Sequence, residues 1–163
     1  MIDESGLSTR PTRARTWAPR GQTPVLQETF NWKSLSLIGG LALWRFLFQI
    51  HAGSIKSLQV IEFLKHLQQQ VPGKILILWD GAPIHRSLLV KNFVAATQGR
   101  LQVERLPAYA PELNPVEYMW GHLKTHEIAN LIATQAWELS LEATAALRRM
   151  RRRHSVIAAC YSQ

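Results

Sequence analysis

The residues of this sequence best suited to chemistry are Asp3, Asp80 and Glu117. Asp3 and Asp80 are the only aspartates, and both fall on segments whose apolar pattern predicts strands, a costly place for an unpartnered carboxylate. If those strands are parallel neighbours, the two carboxylates lie side by side near the carboxyl edge of a sheet, where open α/β sheets build sites. Two such anions repel each other unless a cation sits between them. Mg²⁺ suits that gap, because it takes oxygen ligands and is commonly held by one or two carboxylates plus substrate phosphate oxygens. Glu117 would complete a set for a pair of ions. The prolines of "PAYAPELNPVEYMWGHLK", residues 107–124, limit where its helix can begin and therefore where its side chain points.

Each acid also has a plainer reading. In "NPVE", Asn114 can be the N-cap and Pro115 the first helical residue, so that Glu117 merely closes a capping box. Asp3 can be a terminal acid on a frayed strand, and Asp80 with Gly81 a turn after one.

The elements that must position these groups follow from apolar spacing. "MIDES" reads as a truncated first strand, with only Met1 and Ile2 ahead of Asp3. A surface loop, "TRPTRARTWAPRGQTP", is punctuated by prolines and carries four arginines. "SLSLIGGLAL" and "RFLFQIHAG" predict antiparallel strands turning near Trp44, since the link is too short for a crossover. Leu58, Ile61, Leu64, Leu67 and Val71 share one helical face, closed by Pro72-Gly73. "KILILWD" reads as a central parallel strand, a helix capped by Ser87 runs to about Thr97, and "LQVERL" is a further strand. The helix of Glu117 follows, then a last helix from roughly Leu131 to Arg149 that packs Trp137, Leu141 and Leu147. This order predicts a mixed five-stranded sheet with helices on both faces, in a single domain over residues 1–163 without internal repeats.

The chain's 163 residues suffice for a core of their own. Nineteen Lys and Arg against eleven acids give a formal charge of +8, which points to a polyanionic partner, nucleic acid first. Arg10, Arg13, Arg15 and Arg20 on the early loop, and Arg148, Arg149, Arg151, Arg152 and Arg153 near the end, are the candidate phosphate contacts, although arginine runs are commonly solvated surface. The lone Cys160 forms no internal disulfide, so a reducing compartment or a small core position explains it. No secretory signal opens the sequence, and its longest apolar stretch, Leu35 to Ile50, is too short for a membrane span and is interrupted by Arg45. A cytoplasmic location follows as the default.

Together, "DES" at 3–5, "TWAPRGQTP" at 16–24, "LWDGAPIH" at 78–85 and "LPAYAPELNPVEYMWGHLK" at 106–124 resemble the catalytic domain of DDE transposases from the mariner-like group of bacterial insertion sequences. The resemblance implies an RNase H-like fold, with Asp3, Asp80 and Glu117 as the catalytic, metal-holding triad. It further implies two Mg²⁺ or Mn²⁺ ions, cleavage of transposon-end DNA and its transfer to target DNA, and a nucleoid-associated protein. Family members usually carry a helix-turn-helix region ahead of this domain, which this sequence lacks. An upstream helix-turn-helix chain and a second copy of the same chain are therefore candidate partners. A catalytically inactive DNA-binding or regulatory fragment is the alternative, and an RNase H-like nuclease a weaker one.

Several neighbours of the triad carry secondary expectations. His85 could contact substrate phosphate or a leaving group, against the commoner reading of a surface histidine. Lys124 joins the nucleic-acid candidates, and Trp120, one turn beyond Glu117, reads as core support. His122 and His126 stand four apart, as zinc ligands can, but the glutamate of the H-E-x-x-H motif is absent.

Overall fold

The computed structural model describes residues 1–27, 32–107, 110 and 113–162, and the middle of the proline loop, including Pro111, lies outside them. In order come β1 (Ile2–Ser8), β2 (Ser34–Ala42), β3 (Arg45–Ala52), α1 (Ser57–Gln70), β4 (Ile75–Trp79), α2 (Leu88–Ala96), β5 (Leu101–Arg105), α3 (Val116–His122), α4 (Ala136–Arg152) and α5 (His154–Ala159). A π-helical turn, Leu123–Glu127, continues α3.

β2 explains why helices cover both faces. Its Leu35, Leu37 and Leu41 enter one core with Met119, Trp120, Leu139, Leu147 and Ile157 from α3, α4 and α5. Ile38 points the other way, into a second core with Phe63 and Leu64 of α1 and Val90 of α2. Alternation along the strand thus feeds two layers.

The expected single five-stranded sheet is not what forms. β1, β2 and β3 make one antiparallel sheet, while β4 and β5 pair in parallel as another. β1 and β4 lie against each other without a ladder. The cause is visible at the β1 edge. Met1 and Leu41 exchange backbone hydrogen bonds, so the odd residues of β1 face β2 and the even ones face outward. The outward carbonyl of Ile2 accepts from Asn114 Nδ2 at 3.2 Å, a side chain in place of a strand.

Nor is β1 a frayed remnant. It pairs with β2 throughout, from Ile2 opposite Gly40 to Ser8 opposite Ser34, because the strand extends downstream of Asp3 through a segment short of apolar residues.

The last helix also departs from expectation. Glu138 accepts from the Thr134 and Gln135 backbone amides at 2.7 and 3.2 Å, a cap that starts α4 at Ala136. Those bonds hold its carboxyl below the usual range. Trp137 and Leu141 stand exposed, and the buried face is instead Leu139, Ala143, Ala146, Leu147 and Met150. Cys160 is buried, and burial pushes its thiol up to about 11, as befits a core residue.

Candidate active site

Asp3 sits on β1 directly opposite Gly39, on the face covered by α3. It is 7% exposed, and Trp120 Nε1 donates to its Oδ2 at 2.9 Å. Trp120 is core support, as its spacing suggested, and it also holds the buried acid. Burial raises the Asp3 pKa to about 7, the charges of Glu117, Glu4 and Asp80 add to the rise, and the Trp120 hydrogen bond opposes it. Glu117 and Asp80 therefore both stand within electrostatic reach of Asp3.

Glu117 lies on the first turn of α3 and is exposed. The capping-box reading does not hold, since the helix start is fixed without its side chain. Asn114 Oδ1 accepts from Val116 N at 3.3 Å, and Asn114 O from Glu117 N at 3.0 Å. Asn114 Nδ2 meanwhile ties this start to Ile2, the residue beside Asp3. One buried amide thus sets the register between the Glu117 helix and the Asp3 strand.

Asp80 follows β4, and its side chain is 57% exposed. Oδ1 accepts from Ala82 N at 2.9 Å, the turn its Asp-Gly sequence suggested, and also lies 3.0 Å from His85 Nδ1. The His85 ring stacks on Trp79 with centroids 4.2 Å apart, and its Nε2 lies 2.9 Å from Glu4 Oε1. Burial opposes the charged imidazole, but Glu4 and Asp80 outweigh it and raise the pKa. His85 is not the surface histidine of the commoner reading, and no ring nitrogen is left over for a phosphate.

The donor set is entirely oxygen, which fits a hard divalent cation. Mutual repulsion at Asp3 is the state such a cation relieves. Among the described residues, no group of three or more His, Cys, Asp or Glu side chains is drawn closely enough together to hold a metal ion. That holds for Asp3, Asp80 and Glu117 as it does for His122 and His126, whose rings lie 4.9 Å apart.

The basic candidates divide. Arg10, Arg13, Arg15 and Arg20 are exposed on the loop after β1, with Arg10 over the Trp32 ring at 4.9 Å. Asn130 anchors that loop, accepting from Ala14 N at 2.9 Å and donating Nδ2 to Ala14 O at 3.0 Å. Arg10 and Lys124 line one small cavity, and Lys124 Nζ donates to Ser5 Oγ at 2.8 Å. Arg148, Arg151 and Arg152 are exposed on α4. Arg149 and Arg153 are instead held by the nearly buried Glu127 carboxylate at 3.0 and 2.7 Å.

Glu4 was missed in the sequence. The available signal was an acid beside Asp3, facing the opposite side of the same strand.

A mixed α/β fold built on two small sheets, with helices on both faces of β2, defines the class. The model of the DDE superfamily endonuclease family matches residues 1–139, and the chain belongs to that family. Among solved structures, a Mos1 transposase paired-end complex with the left transposon end is similar, with a TM-score of 0.65 at 16% identity over 98% of this chain and 54% of that one. The Mos1 strand transfer complex gives 0.60 at 16% identity, covering 98% and 53%. The catalytic domain of Mos1 mariner transposase gives 0.56 at 13% identity, covering 98% and 80%. The chain spans about half the length of the Mos1 chains in the two complexes. No curated protein sequence matches it. No helix among the described residues is long and apolar enough to cross a membrane.

Proposed function

We propose that the chain is a transposase catalytic domain that cleaves DNA and transfers strands in a reaction dependent on divalent metal, with Asp3, Asp80 and Glu117 as its catalytic acids. The observation that carries this reading is Asp3 itself, a carboxylate 7% exposed and held by Trp120 at 2.9 Å, whose pKa burial and the facing charges of Glu117, Glu4 and Asp80 raise to about 7. A buried acid repelled by its neighbours is destabilising in isolation and useful when a cation joins them.

Asp3, Asp80 and Glu117 would hold Mg²⁺ or Mn²⁺ as two ions, which when bound supply Lewis acidity for in-line displacement at a phosphodiester. The chain's own contribution is placement. Trp120 orients Asp3, Asn114 registers the Glu117 helix against β1, and the turn at Ala82 directs Asp80. Cleavage and strand transfer are both displacements at phosphorus, so one site can serve both. The exposed arginines of the early loop and of α4, with Lys124, would neutralise DNA phosphates. The likeness to Mos1 complexes carrying transposon ends supports DNA as the partner.

The purified chain should nick or join supercoiled plasmid with Mg²⁺ or Mn²⁺, and Asp80→Asn should abolish this. Activity that survives Asp80→Asn would refute the assignment.

A further inference from the structure

We propose that Glu4 and His85 are positioning residues for Asp80: His85, stacked on Trp79 and braced by Glu4, fixes the Asp80 carboxylate at the seam between the two sheets. The inference rests on the reading of Asp80 as a metal-holding acid.

The geometry assigns the role. His85 Nε2 meets Glu4 Oε1 at 2.9 Å on β1, and Nδ1 lies 3.3 Å from the main-chain carbonyl and 3.0 Å from Oδ1 of Asp80, just beyond β4. The imidazole side chain is 1% exposed, whereas Asp80 is more than half exposed. A solvated carboxylate is thus held beside a buried ring. The ring is fixed by stacking 4.2 Å from Trp79, at an interplanar angle of 4°, and by the turn in which His85 N donates to Ala82 O at 3.1 Å.

No backbone ladder joins β1 to β4, so this side-chain bridge helps set how far the strand of Asp3 lies from the end of β4 that bears Asp80. With Oδ1 bonded by Ala82 N and 3.0 Å from a His85 Nδ1 that also contacts the Asp80 main-chain carbonyl at 3.3 Å, both the backbone and the carboxylate of Asp80 are held beside the ring. Outer contacts that orient metal-holding side chains commonly change metal affinity by about 10–100-fold.

The test is Mn²⁺ titrated into the full chain, with free ion read by electron paramagnetic resonance and folding checked by circular dichroism. Glu4→Ala should weaken Mn²⁺ binding by about 10–100-fold. Glu4→Gln should restore most of it, because its amide oxygen still accepts from His85. His85→Phe, which keeps the stack on Trp79 and removes both nitrogens, should match Glu4→Ala. If Asp80→Asn abolishes binding while Glu4→Ala and His85→Phe leave it intact, the positioning role is overturned and the metal site stands. Equal losses in Glu4→Gln and Glu4→Ala would also overturn it, making Glu4 a charge contributor instead. If Asp80→Asn binds Mn²⁺ as tightly as the unaltered chain, the site itself is wrong and this inference falls with it.

Discussion

Trp120 Nε1 donates to Asp3 Oδ2 at 2.9 Å, and the same indole lies over Gly39, the residue paired with Asp3 across the β1–β2 ladder. A Cβ on Gly39 would come within 2.6 Å of Trp120 Cη2 and 2.8 Å of Cζ2. The absence of a side chain at Gly39 is therefore what lets α3 approach β1 closely enough for Trp120 to reach the buried acid.

Gly39→Ala should consequently act on Asp3 without touching it. The added methyl must displace a rigid indole that is 1% exposed, at a cost of about 1–3 kcal/mol. Trp120→Phe makes room but removes the donor, so Asp3 should titrate still higher. Urea unfolding and carboxyl-carbon NMR of Asp3 check both. A Gly39→Ala protein as stable as its parent would show that the indole is not confined.

Asp3 gives the metal-free chain an unusual dependence on pH. Its pKa is about 7 in the folded chain against 3.8 ordinarily, so the folded state holds this proton more tightly than the unfolded one. The stabilisation is complete below pH 3.8 and is lost as pH rises through 7. The gap between the two values corresponds to about 4 kcal/mol. Asp3→Asn still accepts from Trp120 and carries no charge. Its stability advantage should grow from near zero in acid toward about 4 kcal/mol at mildly alkaline pH. Urea denaturation across that range, without divalent ions, reads it directly, and equal stability at the alkaline end would refute it.

Asn114 should behave as a hinge pin between two parts of the site. Asn114→Ala leaves the Ile2 carbonyl and the Val116 amide without their partners, a loss of about 1–3 kcal/mol. Asn114→Asp keeps the acceptor for Val116 but removes the donor to Ile2. If register between β1 and α3 matters for chemistry, Asn114→Asp should lower plasmid nicking more than its loss of stability explains. Proportional losses in both would reduce Asn114 to a structural cap.

What the sequence made legible was local. Two aspartates on predicted strands and a glutamate behind prolines were conspicuous in a basic chain, and local pattern located α1, α2 and β2 to β5, but only the start of β1. What it hid was non-local. The Glu4–His85–Asp80 bridge joins residues 81 apart in sequence, and Trp120 reaches Asp3 across 117, distances over which no spacing rule operates. The division into two sheets turned on the Ile2 carbonyl accepting from a side chain, which a strand pattern does not encode. α4 misled because apolar residues occupy two of its faces, and the pattern alone does not say that Trp137 and Leu141 lie on the outer one.

The two arginine clusters should differ in their response to salt. Each phosphate contact contributes about 0.9 to the slope of log binding constant against log salt concentration on duplex DNA. Arg15 and Arg20 are exposed on the early loop, so Arg15→Ala and Arg20→Ala should each flatten the slope by about that amount. Arg153 is different, because its Nη1 lies 2.7 Å from Glu127 Oε1, and the Glu127 side chain is only 6% exposed. To reach a phosphate, Arg153 would have to leave a nearly buried carboxylate to Arg149 and to His122, whose Nε2 lies 3.8 Å away. Arg153→Ala should therefore leave the slope almost unchanged and lower stability by no more than about 1 kcal/mol. Glu127→Gln frees both arginines and should steepen the slope. Fluorescence anisotropy on one duplex from about 50 to 200 mM salt measures all four variants. An Arg153→Ala slope as flat as that of Arg15→Ala would mean that the Glu127 clamp opens whenever DNA is bound.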